Sequence, residues 1–261
     1  MPKFSANLSM LYPELEFTDR FAAAASDGFR AVEYLDPYDH PPKEIAAILQ
    51  QSGLQQILFN LPSGDWQGGE RGLLCLPDRR AEFREGVETA LRYAEALQCH
   101  QVNALAGIAP AGVATDALDE VMAENLAHAA PRLADAGIRL LVEPINTRDI
   151  PGFHCARVEH ALRVMDMAGH ANLWLQYDFY HAQIMQGDLV ATFERHQARI
   201  AHVQIADHPG RHEPGTGEIN HRFIFGELDR LGYQGWVGCE YKPLGGTSEG
   251  LDWMKQHGVA P

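Results

Sequence analysis

The 261-residue chain reads as an α/β protein, a single (β/α)8 TIM barrel, on three observations. Eight short apolar β-type runs alternate with eight longer helical patterns. Each βα pair averages about 33 residues, which suits a closed barrel of about 250 residues. No GxGxxG follows the first run, where SANLSMLYPE stands, so the rival doubly wound sheet lacks its usual Gly-rich turn. One domain covering residues 1–261 is expected, because no linker, low-complexity tract or like-charge block divides the chain.

The β-type runs are KFSANLSML (3–11), AVEYLD (31–36), QQILFNLP (55–62), QVNALAG (101–107), RLLVEPIN (139–146), NLWLQYD (172–178), IAHVQIAD (200–207) and GWVGCEY (235–241). The first helical pattern, FTDRFAAAASDG, has Thr18 or Asp19 as a start signal and Gly28 as a stop, and PKEIAAILQQSG ends at Gly53. The next are DRRAEFREGVETALRYAEALQ, DALDEVMAENLAHAAPRLADAG and ARVEHALRVMDMAG. DLVATFERHQARI, HRFIFGELDRLG and SEGLDWMKQHG complete the series. Two long irregular stretches, 61–80 and 207–220, each follow a predicted strand. In a barrel such βα loops stand at the C-terminal face, where function is built. Their Gly, Trp and Arg content favours ordered loops over linkers.

Hydrophobic residues are 46% and charged residues 21%, both ordinary for a globular protein. The formal net charge is −14, which repels a phosphate backbone and argues against nucleic-acid binding. Only four of the 21 cations are lysines, so an anionic ligand needs a local cluster of positive charge. Cys75, Cys99, Cys155 and Cys239 form no CxxC pair and read as reduced thiols of a cytoplasmic protein. The N-terminus lacks the apolar core of a secretory signal, and no apolar run reaches transmembrane length, so no membrane association is expected. Apolar helix stripes such as MAENLAHAAPRL suit packing on the barrel and leave a homo-oligomer open.

Polar residues interrupt four of the later strands near their ends: Glu143, Asp178, Gln204 and Glu240. Successive members stand roughly one βα repeat of ~25–40 residues apart, so four consecutive strands bring one oxygen-bearing side chain each to the same end of the barrel. Three carboxylates converging in a partly buried site repel one another and are costly to desolvate, a cost that a bound divalent cation removes. Four hard oxygen donors favour Mg²⁺ or Mn²⁺ over zinc.

The segments FSANLSMLYPE, LFNLPSGDWQGGERG, VEPINTRDIPGF, QYDFYHAQIMQGD, AHVQIADHPGRHEPGTGEIN and GCEYKP run through almost the whole chain. They resemble the hydroxypyruvate isomerase family of xylose-isomerase-like TIM barrels, which includes the 2-oxo-tetronate isomerases. Related ketose 3-epimerases carry His where Gln204 stands. The resemblance implies a metal held by Glu143, Asp178, Gln204 and Glu240, with Glu143 and Glu240 doubling as proton-transfer groups. It implies that His181 touches a substrate oxygen. The implied reaction is an aldose–ketose isomerisation of a small oxo-acid, hydroxypyruvate to 2-hydroxy-3-oxopropanoate. The competing readings are a 2-oxo-tetronate isomerase, a ketose 3-epimerase, a phosphodiesterase or nuclease of the endonuclease IV kind, and a non-catalytic metal or sugar-acid binding barrel.

A carboxylate substrate needs a cation, and Arg71, Arg211 and Lys242 are the candidates. Lys242 shares the face of Glu240 if that strand continues. Asn7, Glu33 and Asn60 are expected to line the same end, with Glu33 alternatively pairing with a cation. Trp66 and Phe179–Tyr180 are candidate pocket walls. His202 is expected deeper in the barrel, as packing or support. His100, His128, His160, His170, His196 and His257 are read as surface residues.

Overall fold

The computed structural model describes residues 2–260 and closes eight parallel strands into a barrel in chain order. The strands are β1 (Lys3–Asn7), β2 (Ala31–Glu33), β3 (Gln55–Asn60), β4 (Gln101–Ala104), β5 (Arg139–Val142), β6 (Leu173–Asp178), β7 (Ile200–Ile205) and β8 (Trp236–Cys239). β8 pairs with β1, so no sheet edge is left open. Each strand falls within an expected run, but most runs extend past the ladder. In the fifth run, Pro144 follows directly after Glu143 and has no N–H to donate, so β5 ends at Val142.

Helices α1 (Phe17–Ser26), α2 (Pro42–Ser52), α3 (Arg80–Leu97), α4 (Thr115–Asp135) and α5 (Val158–Ala168) follow the expected patterns. α6 (Phe179–Met185) is a helix the sequence reading missed. Its N-cap is Asp178, whose Oδ1 accepts from the Tyr180 N–H at 2.7 Å, so one residue ends a strand and starts a helix. α7 (Leu189–His196) and α8 (His221–Arg230) return to expectation. The last expected helix is two short ones, α9 (Thr247–Gly250) and α10 (Asp252–His257). No helix among the described residues is long and apolar enough to cross a membrane.

Aliphatic and aromatic side chains fill the layer between barrel and helices, where Phe4 packs edge-on against Phe225 and Trp253. A smaller cluster near the strand starts, Ala31, Ile57, Leu58, Leu141 and Ala201, plugs the other end. Both long loops are braced by carboxylates. Glu70 pairs with Arg79 and accepts from the Asp65 N–H. Asp207 accepts the backbone N–H groups of His208, Gly215 and Ile219.

The middle of the barrel is polar and tightly filled. A Cβ at Gly238 on β8 would lie 2.3 Å from Glu33 Oε1, so only glycine leaves room for that carboxylate. Gly238→Ala is expected to cost ~1–3 kcal/mol or more, the usual scale for overpacking a dense interior. Thermal unfolding measures it, and an unchanged Tm would refute the close fit.

Candidate active site

A cleft of about 820 Å³ opens at the C-terminal end of the strands. Six expected site residues line it: Arg71, Glu143, His181, Arg211, Glu240 and Lys242. The other two, Asp178 and Gln204, are buried behind the wall and face each other across the β6–β7 ladder. Strand register thus brings the predicted set to one end of the barrel.

Glu143, Asp178 and Glu240 are almost fully buried. Burial, joined by the charges of Glu240 and Asp178, pushes the Glu143 carboxyl well above its ordinary range. Burial likewise raises Glu240 to about 8 and Asp178 to about 6, with the Arg211 guanidinium opposing both shifts. Arg211 Nη2 donates to Glu240 Oε1 at 2.6 Å and stands 4.0 Å from Asp178 Oδ2. Its backbone is left-handed, with φ 59°, and its guanidinium lies over the Tyr180 ring at 5.2 Å. Asp178 Oδ2 is buried without a hydrogen-bond partner. A free anionic oxygen in a dry site is a position that a cation completes. The Glu143 carboxylate shares a close cluster with it, and Gln204 stands opposite Asp178 in the strand register, so the oxygen donors at this level suit a hard divalent ion.

His181 has its tautomer set by a neighbour. Asn146 Oδ1 accepts the backbone N–H groups of Arg148 and Asp149, at 3.0 and 2.7 Å, which fixes the sense of that amide. Its Nδ2 therefore donates to His181 Nδ1, 2.7 Å away, and the imidazole proton sits on Nε2. Nε2 lies 3.5 Å from Asp178 Oδ2 and 3.7 Å from Glu143 Oε1. Burial, helped by Arg211, lowers the His181 pKa well below its usual value and keeps the ring neutral. Glu143, Asp178 and His181 lie close enough to form a metal-binding triad. An Nε2–H donor has no lone pair for an ion, however, so this tautomer suits contact with an oxygen atom.

The sequence reading missed several contributors. Asn103 on β4 donates to Glu143 Oε2 at 3.0 Å and to Asn60 Oδ1 at 3.1 Å, holding the glutamate in place. Its signal was an amide in the middle of the otherwise apolar stretch VNALAG. Arg148 lines the cleft beside His208, 3.1 Å from its Nε2, and adds a fourth cation. Among the described residues Glu33 has no Lys or Arg partner and is instead hydrogen-bonded by His202 Nε2 at 2.8 Å, and His202 is buried as expected.

Other readings are corrected. Trp66 and Tyr180 line the cleft, but Phe179 turns outward and packs on Tyr177 and Phe193, because successive residues at a helix start point in different directions. Lys242 does not extend β8, which ends at Cys239. Its exposed side chain lines the cleft because its backbone N–H donates to Arg211 O at 2.7 Å. His212 Nδ1 bonds Lys242 O and Glu213 accepts from the Leu244 N–H, so the two loops are clasped. Arg71 lies over Trp66 at 4.2 Å and bonds its carbonyl. His160 is half-buried: with His154 it converges on Asp119 Oδ1, while Arg163 takes Asp119 Oδ2. That second triad ties α4 to α5, and Arg163 already balances its charge.

A parallel barrel with buried carboxylates gathered at its C-terminal mouth is built as an enzyme of the xylose isomerase kind. The family described as Xylose isomerase-like TIM barrel matches residues 21–257. A 2-oxo-tetronate isomerase of Cupriavidus necator is 49% identical over 257 residues, covering 98% of this chain and 99% of that protein. A hydroxypyruvate isomerase of Escherichia coli is 49% identical over 254 residues, covering 97% of this chain and 98% of that protein. A crystal structure from Brucella melitensis, described as an AP endonuclease of family 2, superposes with a TM-score of 0.95 at 46% identity, covering 98% and 99% of the two chains. The chain belongs to the hydroxypyruvate isomerase and 2-oxo-tetronate isomerase family and is an isomerase of the aldose–ketose type.

The raised carboxyls give stability a definite pH dependence. Each binds its proton more tightly folded than unfolded, so its contribution is complete below the unfolded carboxyl range. That contribution is lost as pH rises through about 6 for Asp178 and about 8 for Glu240. In EDTA, Tm should fall between about pH 5.5 and pH 8.5, and Mn²⁺ should raise Tm more at the higher pH. A Mn²⁺ effect equal at both ends would contradict this.

Proposed function

We propose that this chain is a divalent-cation-dependent isomerase that interconverts hydroxypyruvate and 2-hydroxy-3-oxopropanoate. The observation that carries the reading is the convergence of buried Glu143, Asp178 and Glu240 beside Arg211, with an unpartnered Asp178 oxygen among them. Glu143, Asp178, Gln204 and Glu240 would hold the ion, Mg²⁺ or Mn²⁺ by the hardness of the donors. When bound, such an ion would supply electrophilic stabilisation of negative charge developing on the substrate.

The remaining chemistry belongs to the side chains. One of Glu143 and Glu240 removes the proton from carbon, and the other completes the transfer from its own strand end. Burial raises the Glu240 carboxyl in the metal-free site, and a bound cation would draw it back toward the ionised form that acts as base. His181, neutral and protonated on Nε2, donates a hydrogen bond to a substrate oxygen. Arg211, Arg71 and Lys242 supply the positive charge for the substrate carboxylate. Trp66 and Tyr180 restrict water at the mouth. We assign the whole of residues 1–261 to this one catalytic domain. Four buried, unpaired cysteines suit a reducing cytoplasm.

A second reading, a 2-oxo-tetronate isomerase, is supported by two observations. Relatives bearing the two activities are equally similar at 49% identity. The cleft of about 820 Å³ has ample room for a fourth carbon. A nuclease reading draws nothing from the charge: a net −14 opposes a polyanion. Steady-state kcat/KM for C3 and C4 oxo-acids decides between the two isomerase readings.

Glu240→Gln keeps the shape and an oxygen atom but removes the base. It is expected to lower kcat by a factor of ~10² or more, with substrate binding retained and solvent deuterium incorporation reduced in step. Wash-in at the wild-type rate in both this variant and Glu143→Gln would refute the proton-transfer roles. Arg211→Met, Arg71→Met and Lys242→Met test recognition of the acid. Loss of a cation contacting the carboxylate should cost about 2–5 kcal/mol on acid substrates and spare a neutral triose. If neither these three nor Arg148→Met lowers the ratio of acid to neutral kcat/KM, a neutral-ketose epimerase becomes the better reading.

A further inference from the structure

Glu33 ends β2 inside the barrel and is fully buried. Each of its oxygens accepts two hydrogen bonds. Oε2 takes Ser5 Oγ at 3.0 Å and His202 Nε2 at 2.8 Å, and Oε1 takes Asn7 Nδ2 at 3.1 Å and Gln204 Nε2 at 2.7 Å. Burial works to raise its pKa, but His202 and the other donors outweigh that and hold it below the ordinary carboxyl range. A cage of four donors accommodates an ionised carboxylate, which only accepts.

That cage has a directional consequence for Gln204. A side-chain amide is nearly symmetrical in shape, and only its partners decide which end carries the oxygen. Here the nitrogen faces Glu33, so the oxygen faces the other way, where Gln176 Nε2 donates to it at 2.6 Å. Turning the amide end for end would set oxygen against carboxylate oxygen and nitrogen against nitrogen. The Gln204 oxygen keeps a second lone pair.

We propose that Glu33 is a positioning residue that fixes the sense of the Gln204 amide, so that the carbonyl oxygen rather than the nitrogen is offered to the divalent cation. The inference rests on the reading of Gln204 as a ligand. It adds a polarity requirement: positions 33 and 204 must be one acceptor and one amide, with the charge on 33 facing the amide nitrogen.

The test is Mn²⁺ affinity by titration, read without substrate. Glu33→Gln keeps the volume but adds a donor to a cage of donors, which drives Gln204 to turn its oxygen toward position 33. Mn²⁺ affinity should fall ~10–100-fold, the usual scale for losing the support of a ligand. The swapped pair, Glu33→Gln with Gln204→Glu, restores the count of charges and puts an oxygen at both ends of residue 204. It should recover most of the lost affinity. Wild-type affinity in Glu33→Gln, or a swapped pair as weak as the single variant, would overturn the proposal. Wild type that binds no Mn²⁺ would instead remove the ligand reading beneath it, and the proposal with it. The wild-type chain gives a readout free of folding defects. With glutamine labelled at ¹³Cδ and ¹⁵Nε2, Mg²⁺ should shift the Gln204 carbonyl resonance while its NH₂ protons stay slow to exchange. A carbonyl resonance unmoved at saturating Mg²⁺ would count against the proposal even if Glu33→Gln failed to fold.

Discussion

Like charges packed into a dry space dominate this molecule. Asp178 at the end of β6, and Glu143 and Glu240 directly after β5 and β8, are nearly removed from water at one end of the barrel. Their mutual repulsion and lost hydration must be offset locally, because the net charge of −14 only adds to the difficulty. Arg211 is the offset the chain itself supplies, and its left-handed backbone and seat on Tyr180 serve to aim it inward. The loop that carries Arg211 is in turn held by Asp207, through three backbone N–H groups. Loop order, cation placement and carboxyl basicity are therefore one problem with one solution.

Below that level lies a second buried charge handled differently. Glu33 is neutralised by donors rather than by a guanidinium, and its pKa moves down while those of the upper carboxyls move up. The contrast follows from partners. Four donors stabilise the ionised form of Glu33, whereas Glu143 and Glu240 are short of donors and close to other anions. Two layers of the same barrel thus hold one carboxylate favoured in its ionised form and one set of carboxyls with raised affinity for protons.

Much of this was legible in the sequence because barrel geometry is periodic. Strand repeats set the height of Glu143, Asp178, Gln204 and Glu240, and the polar interruption of apolar runs marked them. His181 came from the family resemblance, and the cleft-lining Arg71 and Arg211 from their places in the two long βα loops. What escaped was whatever depends on partners far apart in the chain. Asn103 supports Glu143 across 40 residues, and Asn146 sets the tautomer of His181 across 35. Asp119, His154 and His160 come from two helices and the loop between β5 and α5, so no local spacing announces them. The helix α6 was hidden because its cap, Asp178, belongs to a strand pattern.

The clasp between the seventh and eighth βα loops bears on how such a barrel acquires a new substrate. The Lys242 N–H bonds Arg211 O, His212 bonds Lys242 O, and Glu213 receives the Leu244 N–H. The two cations at the mouth therefore ride on a single joined unit, although some thirty residues and a helix separate them in the chain. Transplanting either loop alone from a relative of different preference would leave broken backbone bonds on the other. The heritable module of specificity on this side of the mouth is the pair of segments together, and grafting or recombination experiments should cut outside both.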